Sequence, residues 1–171
     1  EIPFDSLEAI SRIIGNWNNA DVILGKNTNP LDLDDIFIID NVNGNTVNGI
    51  PFSGIEQANG LAGDDLFHHI DGSTLLNGVI GSEGYDCFHL DDRGLDPTQA
   101  YTYNISEGLI TRNPTYHINE IEHVQLSLSG AEDTVNSSHL SFHQHIDGGT
   151  GFDTLNVTTT ESQKHRIYTS E

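Results

Sequence analysis

The sequence predicts an all-β chain, a parallel β-helix (β-solenoid) with a short helical cap at its N-terminus. Three observations predict it. A glycine-turn–aspartate device recurs along the chain. The segments around it repeat with a period of about 67 residues. After position 15, apolar residues come mostly in runs of three to five, bounded by Gly, Asn or Asp. Strands that short do not easily form a sandwich core, but they suit the faces of a coil.

The cap is expected over residues 1–20. Leu7, Ile10, Ile13 and Ile14 fall on one face at helical spacing. Asp5 or Ser6 can cap the free amides, Glu8 completes a capping box with Asp5, and Gly15 is a natural stop. An amphipathic helix would cover the apolar cross-section that an end coil exposes. The alternative places Ile13 and Ile14 in a first strand.

Residues 21–171 are expected to form the solenoid. Strand segments are read at 21–24, 36–39, 47–50, 75–76 with 79–80, 101–103, 118–121, 124–128, 140–142 and 155–157. The device itself is Gly60-Leu-Ala-Gly-Asp-Asp-Leu-Phe67, Gly81-Ser-Glu-Gly-Tyr-Asp-Cys-Phe88 and Gly148-Gly-Thr-Gly-Phe-Asp-Thr-Leu155. A poorer copy runs Leu128-Ser-Gly-Ala-Glu-Asp-Thr-Val135. The template is G-x-x-G-x-D-x-U, with U apolar. Three anchors set the longer period: Glu56 on Glu122, Asp65 on Asp133 and Asp86 on Asp153 give offsets of 66, 68 and 67 residues. Two copies follow, at about 35–92 and 101–159, joined by the Gly- and Pro-punctuated run 91–97. Within a copy the corner aspartates lie 21 and 20 residues apart. That is one coil of a β-helix rather than the tighter coil made from two nonapeptides.

The candidate metal ligands are Asp65, Asp86, Asp133 and Asp153. An aspartate after a glycine turn can fix that turn by accepting backbone amides. Hard oxygens clustered on a turn are also what calcium needs, and stacked ionised carboxylates repel one another without a cation. The spacing permits calcium without requiring it.

Twenty-six acidic and six basic residues give a formal charge of −20. Such a chain repels phosphate backbones and anionic membranes, so nucleic acid and membrane insertion are not expected. No catalytic residue is assigned. There is no nucleophile elbow, Cys–His grouping or phosphate loop. Glu56 and Glu122 are repeat equivalents rather than an acid–base pair. Cys87 is the lone cysteine, so no internal disulfide can form. Of nine histidines, His143 and His145 alternate and should face one side of a strand, as solvent-facing ladder positions or as part of a transition-metal site. The likeness of His68-His69-Ile70-Asp71-Gly72 to His145-Ile146-Asp147-Gly148 is out of phase with the repeat and reads as coincidence. Methionine is absent, including at position 1, which reads as a segment of a longer chain.

The run from Asp35-Ile-Phe through Asn48-Gly-Ile-Pro-Phe-Ser-Gly-Ile-Glu-Gln57, Gly63-Asp-Asp-Leu-Phe67 and Gly78-Val-Ile-Gly-Ser-Glu-Gly-Tyr-Asp86 resembles repeats of large bacterial exoproteins. These are the filamentous-haemagglutinin-like proteins and the haemolysin-type calcium-repeat proteins, whose nonapeptide is G-G-x-G-x-D-x-U-x. The resemblance covers about residues 20–159. It implies a right-handed parallel β-helix, export to the extracellular space or bacterial cell surface, and an adhesive or spacer role. The chain departs from the calcium repeats in its 20–21-residue spacing and in Leu61 and Ser82 at the second glycine. The leading expectation is a non-catalytic segment for adhesion or display, with a glycan or cell-surface ligand and calcium as a stabilising ion. The alternative is a module of a polysaccharide-active β-helix enzyme, a lyase or epimerase, or its carbohydrate-binding appendage.

Overall fold

The computed structural model describes residues 13–15, 20–25, 34–138 and 142–158. Sixteen short strands among them form two eight-stranded sheets, and no helix occurs in the described residues. The first sheet contains β1 (Ile13–Ile14), β3 (Ile36–Asp40), β4 (Asn45–Val47), β5 (Ile50–Ser53), β7 (Leu66–Ile70), β9 (Cys87–Asp91), β13 (His123–Ser127) and β15 (His143–Asp147). The second contains β2 (Val22–Leu24), β6 (Gln57–Ala62), β8 (Gly78–Glu83), β10 (Thr102–Ser106), β11 (Leu109–Thr111), β12 (Thr115–Asn119), β14 (Thr134–Ser137) and β16 (Thr154–Val157). Apart from two meanders, β3–β4–β5 and β10–β11–β12, the chain changes sheet at every step, and its cross-step pairings are parallel.

The two meanders open equivalent runs of elements, β3–β9 and β10–β16. Each run contains five sheet visits, an odd number, so equivalent strands fall in opposite sheets. β7 lies in the first sheet and its counterpart β14 in the second. The 21-residue step from Asp65 to Asp86 holds two strands, β7 and β8, one in each sheet.

Side-chain alternation sorts each strand into an inward and an outward row. In the first sheet the inward positions stack in register: Phe37, Phe67, Phe88 and Val124 in one column, and Ile39, His69, Leu90 and Leu126 in the next. All eight are buried. The Phe37 and Phe67 rings stack at 4.9 Å and 10°. Across from them, Ala58, Val79 and Ile118 line the second sheet. His69 and Phe88 reach Tyr116 of that sheet at 5.8 and 5.9 Å between ring centroids, so the core lies between the two sheets. Each fully buried Phe contributes about 1.5–3 kcal/mol of transfer free energy.

Several sequence expectations change. The helical cap over residues 1–20 lies mostly outside the described residues. At its described end, Ile13 and Ile14 form β1 in parallel register with Phe52 and Ser53, as the alternative reading had it. Gly15 continues that pairing, donating its N–H to the Ser53 carbonyl at 2.7 Å. Residues 47–50 are a hairpin turn rather than a strand. Asn48 and Gly49 take φ of +48° and +78°, the pair of positive values that a type I′ turn requires between β4 and β5. Leu75 and Leu76 form a loop, one side chain buried and the other 77% exposed.

At the junction of the two runs, Asp92 is fully buried. It accepts hydrogen bonds from the Gly72 N–H at 2.9 Å, the Tyr103 hydroxyl at 3.0 Å and Arg112 Nε at 2.9 Å. The Arg112 guanidinium lies 5.1 and 5.7 Å from the rings of Tyr101 and Tyr103. Arg112→Ala would strand the Asp92 charge in the core. A loss of about 3–5 kcal/mol is expected, read as a fall of roughly 10 °C in melting temperature.

Candidate metal centre

The corner aspartates form two hydrogen-bonded ladders. Along the starts of the first-sheet strands, the Asp35 N–H donates to Asp65 Oδ1 at 2.7 Å. The Asp65 N–H donates to Asp86 Oδ1 at 2.9 Å, and the Asp86 N–H donates to Glu122 Oε2 at 2.8 Å. Each carboxylate thus ties down the amide of its equivalent one step earlier. Along the second-sheet strands, the Tyr101 N–H donates to Asp133 Oδ1 at 2.7 Å and the Asp133 N–H to Asp153 Oδ1 at 2.8 Å. Asp21 N–H donates to Glu56 Oε2 at 2.8 Å on that side. Glu56 and Glu122 therefore do the same job in opposite ladders.

The other carboxylate oxygen separates the four aspartates. Asp65 and Asp86 are 1% and 0% exposed, and their Oδ2 atoms have no hydrogen-bond partner. A Cβ on Gly60 would overlap Asp65 Oδ2 and lie 3.0 Å from the Gly81 carbonyl oxygen. A Cβ on Gly81 would overlap both Asp86 Oδ2 and the Glu120 carbonyl oxygen. The first glycine of the template is thus the floor on which the carboxylate rests, five residues on. Each orphaned Oδ2 also shares its neighbourhood with a carbonyl oxygen of the next step. Both groups are acceptors, and a proton on the carboxyl or a cation beside it would supply the positive charge that the unpartnered Oδ2 lacks.

Electrostatics point the same way. Burial, reinforced by the charges of Asp86, Asp35 and Asp34, pushes the Asp65 carboxyl up to about 7. Burial, with Glu122 and Asp64, pushes Asp86 up to about 6. Asp133 differs, because its Oδ2 accepts from the Ser129 N–H at 3.1 Å and the Ser129 hydroxyl at 2.9 Å. Its lone pairs are already engaged, and it does not offer a free oxygen. Asp153 is exposed, with its pKa raised by burial of the carboxyl against the corner and by Asp133, Asp147 and Glu132. The residues therefore fit a hard cation at Asp65 and Asp86, and fit it poorly at Asp133.

The second position of the template, which is glycine in the nonapeptide G-G-x-G-x-D-x-U-x, has positive φ. Leu61 and Ser82 occupy it at φ of +74° and +82°. The backbone keeps the conformation at some strain rather than losing the turn.

A second set of polar residues was not singled out from the sequence. The outward column of the first sheet runs Ile38, His68, His89, Gln125, His145, with Asp40, Ile70, Asp91, Ser127 and Asp147 beside it. The rings of His68 and His89 stack at 4.5 Å and 4°, and His68 Nε2 lies 3.6 Å from Asp91 Oδ2. Hydrogen bonds from the Arg93 guanidinium hold the Asp91 carboxyl down at about 2. His143 and His145 are exposed on the same face, and His143 Nδ1 meets the Tyr85 hydroxyl at 2.7 Å. His68 and His145 share this column, whereas the sequence likeness sets His69, an inward residue, against His145, so the register does not produce it. Because equivalent strands swap sheets, neighbours in one sheet are out of phase with the 67-residue period. The signal in the sequence was His-x-Asp at 89–91 and again at 145–147.

Cys87 lies in an outward column between Leu66 and His123, and burial raises its thiol pKa. That environment keeps the thiol protonated and unreactive. No helix among the described residues is long and apolar enough to cross a membrane. Comparison with family models, curated proteins and solved structures returned no match.

Proposed function

We propose that this chain is a calcium-stabilised, non-catalytic segment of a secreted or surface bacterial exoprotein, built as a right-handed β-solenoid and serving adhesion or display. The observation that carries the reading is the in-register stacking of parallel strands in both sheets. It turns each outward face into columns of repeated side chains. On the second sheet, Asn136 Nδ2 donates to Asn104 Oδ1 at 2.9 Å and Asn156 Nδ2 to Asn136 Oδ1 at 2.8 Å, an amide ladder beside the column Thr102, Thr134, Thr154. Repetitive polar faces on a rigid stack suit a repetitive ligand such as a glycan, engaged at several equivalent points.

Calcium enters through the corners. Asp65 and Asp86, with the carbonyl oxygens of Gly81 and Glu120 beside them, would hold the ion, which would supply the positive charge those acceptors lack. Its role would be to stabilise the stack.

Glycan arrays and a reducing-end assay on the retained sugars test the functional reading, with and without calcium. Binding without product release is expected, and it should weaken in chelator as the corners loosen. Release of shortened or unsaturated products would overturn the non-catalytic assignment. Failure to retain any glycan or cell-surface preparation would overturn the display role.

A further inference from the structure

The outward face of the first sheet carries chemistry that the calcium corners do not use. We propose that His68, His89 and Asp91 form a binding site for a divalent transition metal of the zinc class. The parallel register places His68 opposite His89, and the two-residue strand period puts Asp91 on the same face as His89. One ligand atom from each residue falls within 4.8 Å of the others. His68 Nε2 is buried without a hydrogen-bond partner, 3.6 Å from Asp91 Oδ2. His89 Nε2 touches the Ser127 hydroxyl at 3.1 Å, a neighbour that can orient the ring.

Two imidazoles and a carboxylate are a borderline donor set. They suit zinc, copper or nickel, whereas calcium takes oxygens alone. Ligands about 2.0–2.1 Å from a tetrahedral ion stand roughly 3.3 Å apart, so the cluster needs only a modest contraction. The stacked rings must turn so that their lone pairs converge, which rotation about the terminal side-chain bond allows. A fourth position would remain open to solvent, as in sites where three protein groups hold the ion.

Arg93 opposes the metal. Its Nε and Nη2 hold both oxygens of Asp91, at 2.8 and 2.6 Å. The Arg93 side chain is 63% exposed, so it can swing into water when an ion takes its place. The geometry thus makes Arg93 a competitor for the carboxylate, a role that a filler in a stacked ladder would not have.

The test is calorimetric titration of the whole chain with zinc, in excess calcium so that the corner carboxylates do not compete. One zinc per chain is expected. His68→Gln and His89→Gln should each weaken it by about tenfold or more. Gln is a safe replacement because Gln125 already occupies the same column; circular dichroism checks the fold. Arg93→Gln should tighten binding several-fold, and His143→Gln/His145→Gln should leave it unchanged. Unchanged zinc affinity in both His68→Gln and His89→Gln would overturn the site. So would weaker binding in Arg93→Gln, or a loss that tracks His143 and His145. Because the readout is zinc affinity, failure here leaves the calcium reading standing, and failure of the calcium reading leaves this one.

Discussion

Asp65→Asn is expected to raise the melting temperature of calcium-free protein at pH 7.5 and to remove most of its response to calcium. The substitution keeps Oδ1, which still accepts the Asp35 N–H. It replaces the orphaned Oδ2 with an amide that can donate toward the Gly81 carbonyl. With the folded carboxyl near 7 and the unfolded one near 4, the folded protein holds a proton that the unfolded chain releases between those values. The stability that Asp65 contributes is therefore full below about pH 4 and is lost as pH rises toward 7. Removing the charge at pH 7.5 should recover roughly 2–4 kcal/mol in the absence of metal. His69 works in the opposite direction. Burial lowers its pKa to about 4, so its contribution is lost as pH falls from about 6.5 through 4. Comparing wild type with Asp65→Asn across pH cancels His69 and isolates the aspartate. A calcium-free Asp65→Asn protein that melts no higher than wild type would remove the buried-charge argument.

Gly60→Ala carries the second large effect, and in the other direction. The backbone at Gly60 needs no positive φ, so alanine has no conformational penalty there. Its methyl would instead occupy the place of Asp65 Oδ2 and crowd the Gly81 carbonyl. Asp65 cannot retreat without giving up the Asp35 amide. A loss of about 3 kcal/mol or more is expected, in the range of overpacked cores. Gly60→Ala/Asp65→Ala should be less damaged than the sum of the two single variants, because removing the carboxylate makes room for the methyl. Strict additivity in that cycle would show that the glycine and the aspartate do not share a site.

The aspartate corners were legible in the sequence because a glycine five residues ahead of a carboxylate leaves a spacing that survives in the letters. The order of elements in β3–β9 is matched by that in β10–β16. The sheet exchange was not legible. It depends on the parity of sheet visits per repeat, which no single residue records, and it hid the shared column of His68, His89 and His145. Strand β6 escaped the strand reading and β8 was read only at 79–80, because Gly60 and Gly81 interrupt them, and those glycines are there for the carboxylates above them. β7 and β9 escaped because His68, His69 and His89 dilute the apolar alternation. The hairpin at Asn48-Gly49 carried a strong turn signal, masked by the flanking Val47 and Ile50. The run 128–135, with Leu128 and Ala131 at the template glycines, was read only as a poorer copy, and Ser129 within it drew no notice. The structure gives it a function, as the donor that satisfies Asp133.

Burial raises the Asp65 and Asp86 carboxyls and leaves each Oδ2 without a hydrogen-bond partner, which suits the pair to exchange a proton for a cation. Calcium titration by calorimetry at pH 6.5, in two buffers of different ionisation enthalpy, tests that exchange most directly. The expected result is a binding heat that differs between the buffers, with about one proton or more released per calcium bound. The signal should vanish in Asp65→Asn/Asp86→Asn. Absence of a calcium heat in the wild type, or binding without proton release that persists in the double variant, would contradict the exchange.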